Sequence, residues 1–408
     1  MTRTILLLGG SAQQVVAINT AKKLGYTTVL CDYLPDNPGR QFADVFYLIS
    51  TTDKEAVLEV AKKEKINGVV AYASDPAAPT AAYVSEELGL PGIPYGIAKA
   101  FCEKNLFREF LKENGFHAPK SVVTRVGEQF QPEFIEGFRF PIIVKPSDAS
   151  GSKGVTVVDN LSDIDAALKE ASKYSRNGNL VIEEFIQRDH KHVIEAELFI
   201  QNGEVVVWGL INSIRDKKTN PLVPAAYSFP LAVSQERIVL VKQEISQLIH
   251  AAKIKNGAMN IELIIDDRNN LYFLDVGPRN GGNMLPDFIS KIFDLDIVEA
   301  TLRVAMNDIC CIESGSMSDL SLGYWGLGVL HSERSGAFKA IKYSREALEA
   351  LLVDYVQTDP GEPVNTFTKC TDLVGLAFFK FNNEALMDDV MENFAKHAYV
   401  ELDGEIHE

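Results

Sequence analysis

The chain opens on short apolar runs that alternate with amphipathic stretches. Thr4–Leu8 reads as a strand, about Gln13–Leu24 as a helix, and Thr27–Asp32 and Phe46–Ile49 as strands. Asp53–Lys63 follows as a helix and Val69–Tyr72 as a further strand. Strands alternating with helices at this spacing predict a parallel α/β unit. Ligands of such sheets sit beyond the carboxyl ends of the strands. Gly9-Gly10-Ser11 and Ser74-Asp75 are therefore candidate ligand loops. The Pro/Gly punctuation of Leu90–Gly96 sets a domain boundary at residue 96.

Beyond it, Ile97–Gly115 has helical periodicity carried by Phe101, Phe107, Phe110 and Leu111. A second small α/β block runs from Ser121 to about Ile186, with strands at Ile142–Val144, Gly154–Val158 and Val181–Phe185. Val193–Ile200 and Val205–Ile211 flank Asn202-Gly203, a favoured type I′ hairpin turn. Asn260–Asp266 and Leu271–Val276 form a second hairpin. Strands at Gly323–His331 and Leu373–Phe381, with helices near Arg345–Leu352 and Glu384–His397, close the chain.

Composition adds exclusions. The 408 residues are 46% hydrophobic and 24% charged, an ordinary globular balance, and the length suggests two or three domains. The net charge of −16, with no Lys/Arg-rich run to offset it, argues against nucleic acid as a partner. The early apolar run Ile5–Leu8 is too short for a signal peptide or a membrane span, so a cytoplasmic protein with no membrane partner is expected. Cys31, Cys102, Cys310, Cys311 and Cys370 form an odd set with no C-x-x-C pair and are expected to be buried, reduced thiols.

Several local patterns carry chemistry. Lys145 ends the apolar run Phe140–Val144 and is followed by Ser147–Gly154, a Gly/Ser loop with Lys153 whose backbone N–H groups can approach an anion. It is not a P-loop, since no helix follows and the spacing fails. Such a loop alone is more often a flexible turn, and a lone lysine such as Lys104 or Lys145 a surface residue. Glu183–Ile186 ends a strand where backbone groups can meet the edge of a flat heterocycle. Glu262 and Asp275 lie on adjacent strands, and paired hard oxygens suit Mg²⁺. Arg279, in the loop Val276–Asn283, can neutralise charge on a transferring phosphoryl group or serve in a structural ion pair. His190, His192 and Glu195 lack metal-ligand spacing and read as loop or ribose-edge residues. Gly9-Gly10 and Gly326-Leu327-Gly328 both fail the dinucleotide fingerprint, and neither H-E-x-x-H nor G-x-S-x-G occurs.

Taken in order, Lys104, Lys145, the Ser150–Gly154 loop, Glu183–Ile186, Glu262, Asp275 and Arg279 resemble the element sequence of the ATP-grasp superfamily. The resemblance covers roughly residues 1–310. It implies a Rossmann-like preATP-grasp sheet at 1–96 and a two-lobed α/β and α+β ATP-grasp fold at 97–310, with 120–187 as a mobile lid. Residues 311–408 would form a small β-rich C-terminal lobe.

The resemblance further implies ATP held between the lobes, with Lys104 and Lys145 on its phosphates. Ser150, Gly151, Ser152, Lys153 and Gly154 would form the lid loop. Backbone atoms of Glu184 and Ile186 would meet the adenine edge, with Glu183, Phe185 and the ribose-edge His192 nearby. Ile143 and Leu274 would lie above and below the ring. Glu262 and Asp275 match the Mg²⁺ (or Mn²⁺) carboxylates. Many members carry Asn two residues after the second of these, where this chain has Gly277. Arg279-Asn280-Gly281-Gly282-Asn283 looks like the R-x-G-G loop of the biotin carboxylase-like and amino acid ligase branch, where Arg279, Gly281 and Gly282 would face the acceptor. The implied activity is ADP-forming ligation of a small carboxylate to an amine through an acyl phosphate, in an enzyme that resembles known homodimers. Carboxylase or carbamoyl-phosphate chemistry, a silent ATP-binding protein, and a nicotinamide-dependent dehydrogenase on the N-terminal unit are the competing classes.

Overall fold

The computed structural model describes residues 3–308, 312 and 319–403, so Cys310 and Cys311 lie outside it. At the N-terminus β1 (Thr4–Leu8), β2 (Thr27–Asp32), β3 (Val45–Leu48) and β4 (Gly68–Val70) form a parallel sheet in the order β3-β2-β1-β4. Leu6 and Leu8 pack toward α2 (Lys54–Glu64) and α3 (Ala78–Leu88), whereas Ile5 and Leu7 pack toward α1 (Val15–Lys23) and toward Val298 and Leu302 from much later in the chain. A strand buried on both faces needs an unbroken apolar run, which is what Ile5–Leu8 supplies. Asp53 caps α2 by accepting the Ala56 N–H at 3.1 Å.

Two helices, α4 (Tyr95–Cys102) and α5 (Lys104–Glu113), lead into a small antiparallel sheet. Its strands β5 (Ser121–Arg125), β6 (Ile142–Pro146), β7 (Thr156–Val158) and β8 (Asn179–Glu184) lie in the order β5-β8-β6-β7. Helix α6 (Ile164–Ser172) closes a core of Ile142, Val144, Leu180 and Ile182 beneath them. The chain then forms β9 (Val193–Gln201), β10 (Glu204–Arg215) and β11 (Pro224–Phe229), the helix α7 (Gln235–Ala251), β12 (Gly257–Ile265) and β13 (Leu271–Gly277), and helices α8 (Leu285–Phe293) and α9 (Ile297–Ala305). The β9–β10 turn has Asn202 and Gly203 both at positive φ, 54° and 85°, as a type I′ turn requires.

After α9 come β14 (Tyr324–Leu330), β15 (Gly336–Tyr343), α10 (Arg345–Ala350), β16 (Leu351–Val356), β17 (Pro363–Val364), β18 (Gly375–Phe381), α11 (Glu384–Glu392), α12 (Phe394–His397) and β19 (Ala398–Leu402). Strands β14, β18 and β16 continue the central sheet, whose order is β13-β12-β9-β10-β11-β14-β18-β16, while β17-β15-β19 form a separate small sheet. The helical pattern expected across Arg345–Leu352 stops at Ala350. From Leu351 on, exposed and half-buried residues alternate, the period of a strand.

Candidate active site

A cavity of about 800 Å³ is lined from one side by residues of β6 and β8 and of the Ser147–Gly154 loop and from the other by residues of β9, β12 and β13. Of the residues singled out in the sequence, Lys104, Ile143, Lys145, Ser150, Gly151, Ser152, Lys153, Glu183, Glu184, Phe185, Ile186, His192, Glu262, Leu274, Asp275, Arg279 and Gly282 all line it. Gly154 and Gly281 do not. Gly154 packs so closely that an added Cβ would stand 2.7 Å from the Tyr174 ring, and the Gly281 N–H is donated inward to Glu197 Oε2 at 2.9 Å. Of the two N-terminal loops, Ser74-Asp75 contributes Asp75 to the cavity. Gly9-Gly10-Ser11 does not reach it: the Ser11 N–H is donated to Gln14 Oε1 at 2.9 Å and the Gly10 N–H to Asp32 at 2.7 Å, so the loop is tied down internally.

At the phosphate end of the expected ATP site two lysines enter from different elements. Lys104 is the first residue of α5, and its ammonium donates to the carbonyl of Ala149 in the Ser147–Gly154 loop at 3.0 Å while standing 3.5 Å from Asp275. Lys145 is the last residue but one of β6 and pairs with Glu183 on the neighbouring β8. Glu183 in turn receives a forked contact from Arg108, Nε at 3.0 Å and Nη2 at 3.3 Å. Arg108 also donates to the carbonyls of Phe273 and Leu274, at 3.2 and 3.0 Å. Burial pulls the Lys145 ammonium down to about 8, against the attraction of Glu183. Desolvation would raise the Glu183 carboxyl, but Arg108 and then Lys145 hold it down at about 2. Glu183 thus acts as the post against which the lysine is set.

Glu262 and Asp275 are direct partners across β12 and β13, so both side chains leave the same face of the sheet. As paired hard oxygens they fit Mg²⁺. Their present partners are cations: Arg215 Nη2 lies 2.8 Å from Glu262, and Lys104 serves Asp275. Gly277 is explained by its neighbours. A Cβ there would come within 2.8 Å of both the Arg279 guanidinium and an Asp75 oxygen, so the arginine and its partner fill the place of the absent asparagine. Arg279 is held by two bonds that its guanidinium donates to the Asp75 carboxylate, at 2.7 and 2.6 Å. Burial would weaken the guanidinium's charge, but Asp75 more than reverses this and raises its pKa.

Beside this pair stands a second row of carboxylates. Glu195 on β9 is the register partner of Glu262, and Glu197 is that of Asn260. The Asn260 amide donates to both glutamates, at 2.8 and 3.3 Å. Burial first, and the Glu262 carboxylate second, push Glu195 up to about 8, and burial raises Glu197 well above the usual carboxylate range.

The backbone N–H groups of Glu184 and Phe185 are already committed. The Glu184 N–H is donated to the Lys120 carbonyl at 2.9 Å and the Phe185 N–H to Pro141 at 3.1 Å. His192 Nε2 faces Glu392 of α11 at 2.7 Å, and Lys191 and Lys217 converge on the same carboxylate. His190 accepts the Ile265 N–H at 2.9 Å and so buttresses β12. Among the described residues no three His, Cys, Asp or Glu side chains form a metal-holding group, and none of the described helices is long and apolar enough to cross a membrane.

Sequence reasoning did not single out Arg108, Arg215, Glu197 or Asn260. For Arg108 a signal exists: Lys104, Arg108 and Leu111 share one helical face at i, i+4 and i+7, an odd place for a guanidinium unless it is paired. For Glu197 and Asn260 the signal is their registry across β9 and β12, and for Arg215, at the end of β10, it is the contact with Glu262 at 2.8 Å, which only the folded sheet supplies.

The likeness to known proteins agrees with this geometry. The large chain of carbamoyl phosphate synthase from Thermotoga petrophila is 24% identical over 287 residues, 69% of this chain and 25% of that one, so the chain spans about a quarter of the length of the curated relatives it matches. Among solved structures, L-amino acid ligase from Bacillus licheniformis superposes with a TM-score of 0.79 at 17% identity, over 99% of both chains. Phosphoribosylglycinamide synthetase from Anaerococcus prevotii gives 0.75 at 18%, over 99% and 100% of the two chains. These structures share the fold. The family described as "Carbamoyl-phosphate synthase L chain, ATP binding domain" matches residues 103–309, half of the chain, and the protein belongs to that family, within the ATP-grasp superfamily.

Proposed function

We propose that the protein is an ADP-forming carboxylate–amine ligase that works through an acyl phosphate. The observation that carries this reading is the convergence of Lys104, Lys145, Glu262, Asp275 and Arg279 on one cavity, which the apolar Ile143 and Leu274 also line. A carboxylate is a poor electrophile until one of its oxygens becomes a phosphate leaving group. The task is therefore positioning and charge neutralisation, which fixed cations perform without a serine or cysteine nucleophile. In this reading Glu184, Phe185 and Ile186 hold the adenine edge. Lys104 and Lys145 hold the phosphates, the latter set by Glu183 and Arg108. The lid at 120–187 closes over them through Ser150–Gly154, and Arg279, fixed by Asp75, faces the terminal phosphate and the acyl phosphate. Glu262 and Asp275 would hold Mg²⁺ (Mn²⁺ is an equivalent hard ion), which when bound neutralises phosphate charge. A small carboxylate and an amine are the substrates. The homodimer, the cytoplasmic location and the division at residues 96 and 310 belong to the same reading.

The test is coupled ADP release with amino acids and small organic acids, supplied singly and in pairs. Turnover that needs a carboxylate and an amine, and that is abolished in Lys145→Ala and Glu262→Ala with the fold retained, supports the ligase. Unchanged turnover in either variant removes it. Family membership favours a second reading, carboxyphosphate or carbamoyl-phosphate chemistry, in which ADP release responds to bicarbonate instead.

A further inference from the structure

The Ser147–Gly154 loop, part of the lid in the proposed reading, is tied down at two points. In its first half the Ala149 carbonyl accepts the Lys104 ammonium at 3.0 Å, and that ammonium stands 3.5 Å from Asp275. In its second half the Ser152 hydroxyl donates to the Leu222 carbonyl at 3.0 Å. Leu222 lies in the connection between β10 and β11, and its carbonyl also accepts Arg215 Nη1 at 3.1 Å. A carbonyl oxygen has two lone pairs, so it takes both donors at once. The other arm of the same guanidinium, Nη2, is donated to Glu262 Oε2 at 2.8 Å. Arg215 ends β10 with its side chain only 12% exposed, and its planar fork holds both acceptors in one geometry. Between the two ties, Gly151 lies against Cys370: a Cβ there would stand 3.8 Å from that of Cys370, an ordinary packing distance. Each tie thus leads through a cation, Lys104 or Arg215, to one of the two carboxylates read as Mg²⁺ ligands.

We infer that Arg215 is a positioning residue: it fixes the Leu222 carbonyl as the landing point of Ser152, and its anchorage on Glu262 makes closure of the loop and the setting of that carboxylate one event. The inference rests on the reading of this loop as part of a lid and goes beyond it by naming the atoms on which the lid closes. Asp216 shapes the β10–β11 connection from within, by accepting the N–H groups of Thr219 and Asn220 at 2.6 and 2.8 Å, whereas Arg215 ties it to β12. Without that tie the Ser152 hydroxyl has no fixed acceptor.

Trypsin supplies the test. Cleavage after Lys153, inside the loop, tracks the population of open loop, and cleavage after Lys242, inside α7, tracks opening of the whole molecule. Both are read from fragment masses, in the free protein and with Mg²⁺ and the non-hydrolysable analogue AMP-PNP, each rate divided by that of a peptide carrying the same bond and substitution. Ser152→Ala removes the hydroxyl and keeps the Cβ. In the free protein it should speed cleavage after Lys153 about fivefold, the worth of one neutral hydrogen bond, and Arg215→Met roughly tenfold or more, since charged donors are lost. Glu262→Ala, which removes the anchor of Arg215, should speed it as well. The double variant of Ser152 and Arg215 should be no faster than Arg215→Met alone, because both act through one carbonyl. A wild-type rate after Lys153 in any single variant overturns the inference, as do effects that multiply in the double variant. So does an acceleration by Ser152→Ala that is matched after Lys242, since that is a loss of global stability. If Arg215→Met is cut equally fast after Lys153 and Lys242, the whole molecule is opening, and Arg215→Lys, which keeps the charge beside Glu262 but not the fork, replaces it under the same expectations. Mg²⁺ with AMP-PNP should slow cleavage after Lys153 in wild type, and no slowing removes the lid and the inference with it. The assay needs no turnover, so absence of ADP release with every substrate pair would remove the ligase and leave this result standing.

Discussion

Replacing Arg108 with methionine removes the guanidinium on which the Lys145 and Glu183 pair depends, while keeping an unbranched side chain in a position that is 2% exposed. Glu183 would lose both bonds from Arg108, and the carbonyls of Phe273 and Leu274 would lose a buried donor. Removing one partner from a buried ion cluster costs about 3–5 kcal/mol, because the remaining charges stay buried without full compensation. A globular protein holds only about 5–15 kcal/mol in total. The variant should therefore unfold at a much lower urea concentration at pH 7. The acid limb gives an independent check. Glu183 is held at about 2, below its ordinary 4.5, so its contribution is present above pH 4.5 and is lost as pH falls toward 2. Without Arg108 the carboxyl rises toward its ordinary range and less stability remains to be lost in that window. Urea titrations of wild type, Arg108→Met, Glu183→Gln and the double variant, at pH 7 and across pH 2–5, measure both effects. A loss below about 1 kcal/mol at pH 7, or strict additivity of the two substitutions, would refute the view that these residues form one unit.

Asp75→Asn should leave the fold intact but free the Arg279 guanidinium. The expected loss in kcat/KM for ADP release is roughly tenfold to a hundredfold, since misplacement of a positioned group costs on that order. Steady-state kinetics with circular dichroism as control checks it. Gly154→Ala places a Cβ where Tyr174 and Ala171 already stand, on a backbone with φ of 69°. The Ser147–Gly154 loop should lose order at a cost of about 1–3 kcal/mol, the range for residues forced into strained backbone. The MgATP-induced thermal shift should shrink accordingly.

Much of this architecture was legible because its signals are local. An unbroken apolar run marked β1, the Asn-Gly pair marked the β9 turn, and the order of charged residues after residue 104 marked the cavity. Strand β11 escaped notice because PAAYSF has neither alternation nor β-branched residues, and its burial comes from β10 and β14 on its two sides. Likewise the two LL residues before Val353 read as the end of a helix until their pairing with β18 is known. At the site, residue types and order were readable, but partners were not. That Arg279 belongs to Asp75, 204 positions away, depends on how the N-terminal sheet docks on the rest. The same docking explains why a side chain is missing at Gly277.

The continuation of the central sheet past β11 bears on how the gene can be divided. Tyr227, on the cavity wall, is a register partner of Leu327, and Ala226, Ser228 and Phe229 pair with the same strand. Cutting the chain before Tyr324 would strip this flank and bare a row of main-chain donors and acceptors along β11. Bare strand edges recruit other chains, so such a fragment should self-associate rather than persist as a smaller folded unit. Residues 324–403 are then a selvedge woven into the central sheet, and recombination that swaps them would have to respect the β11 and β14 seam.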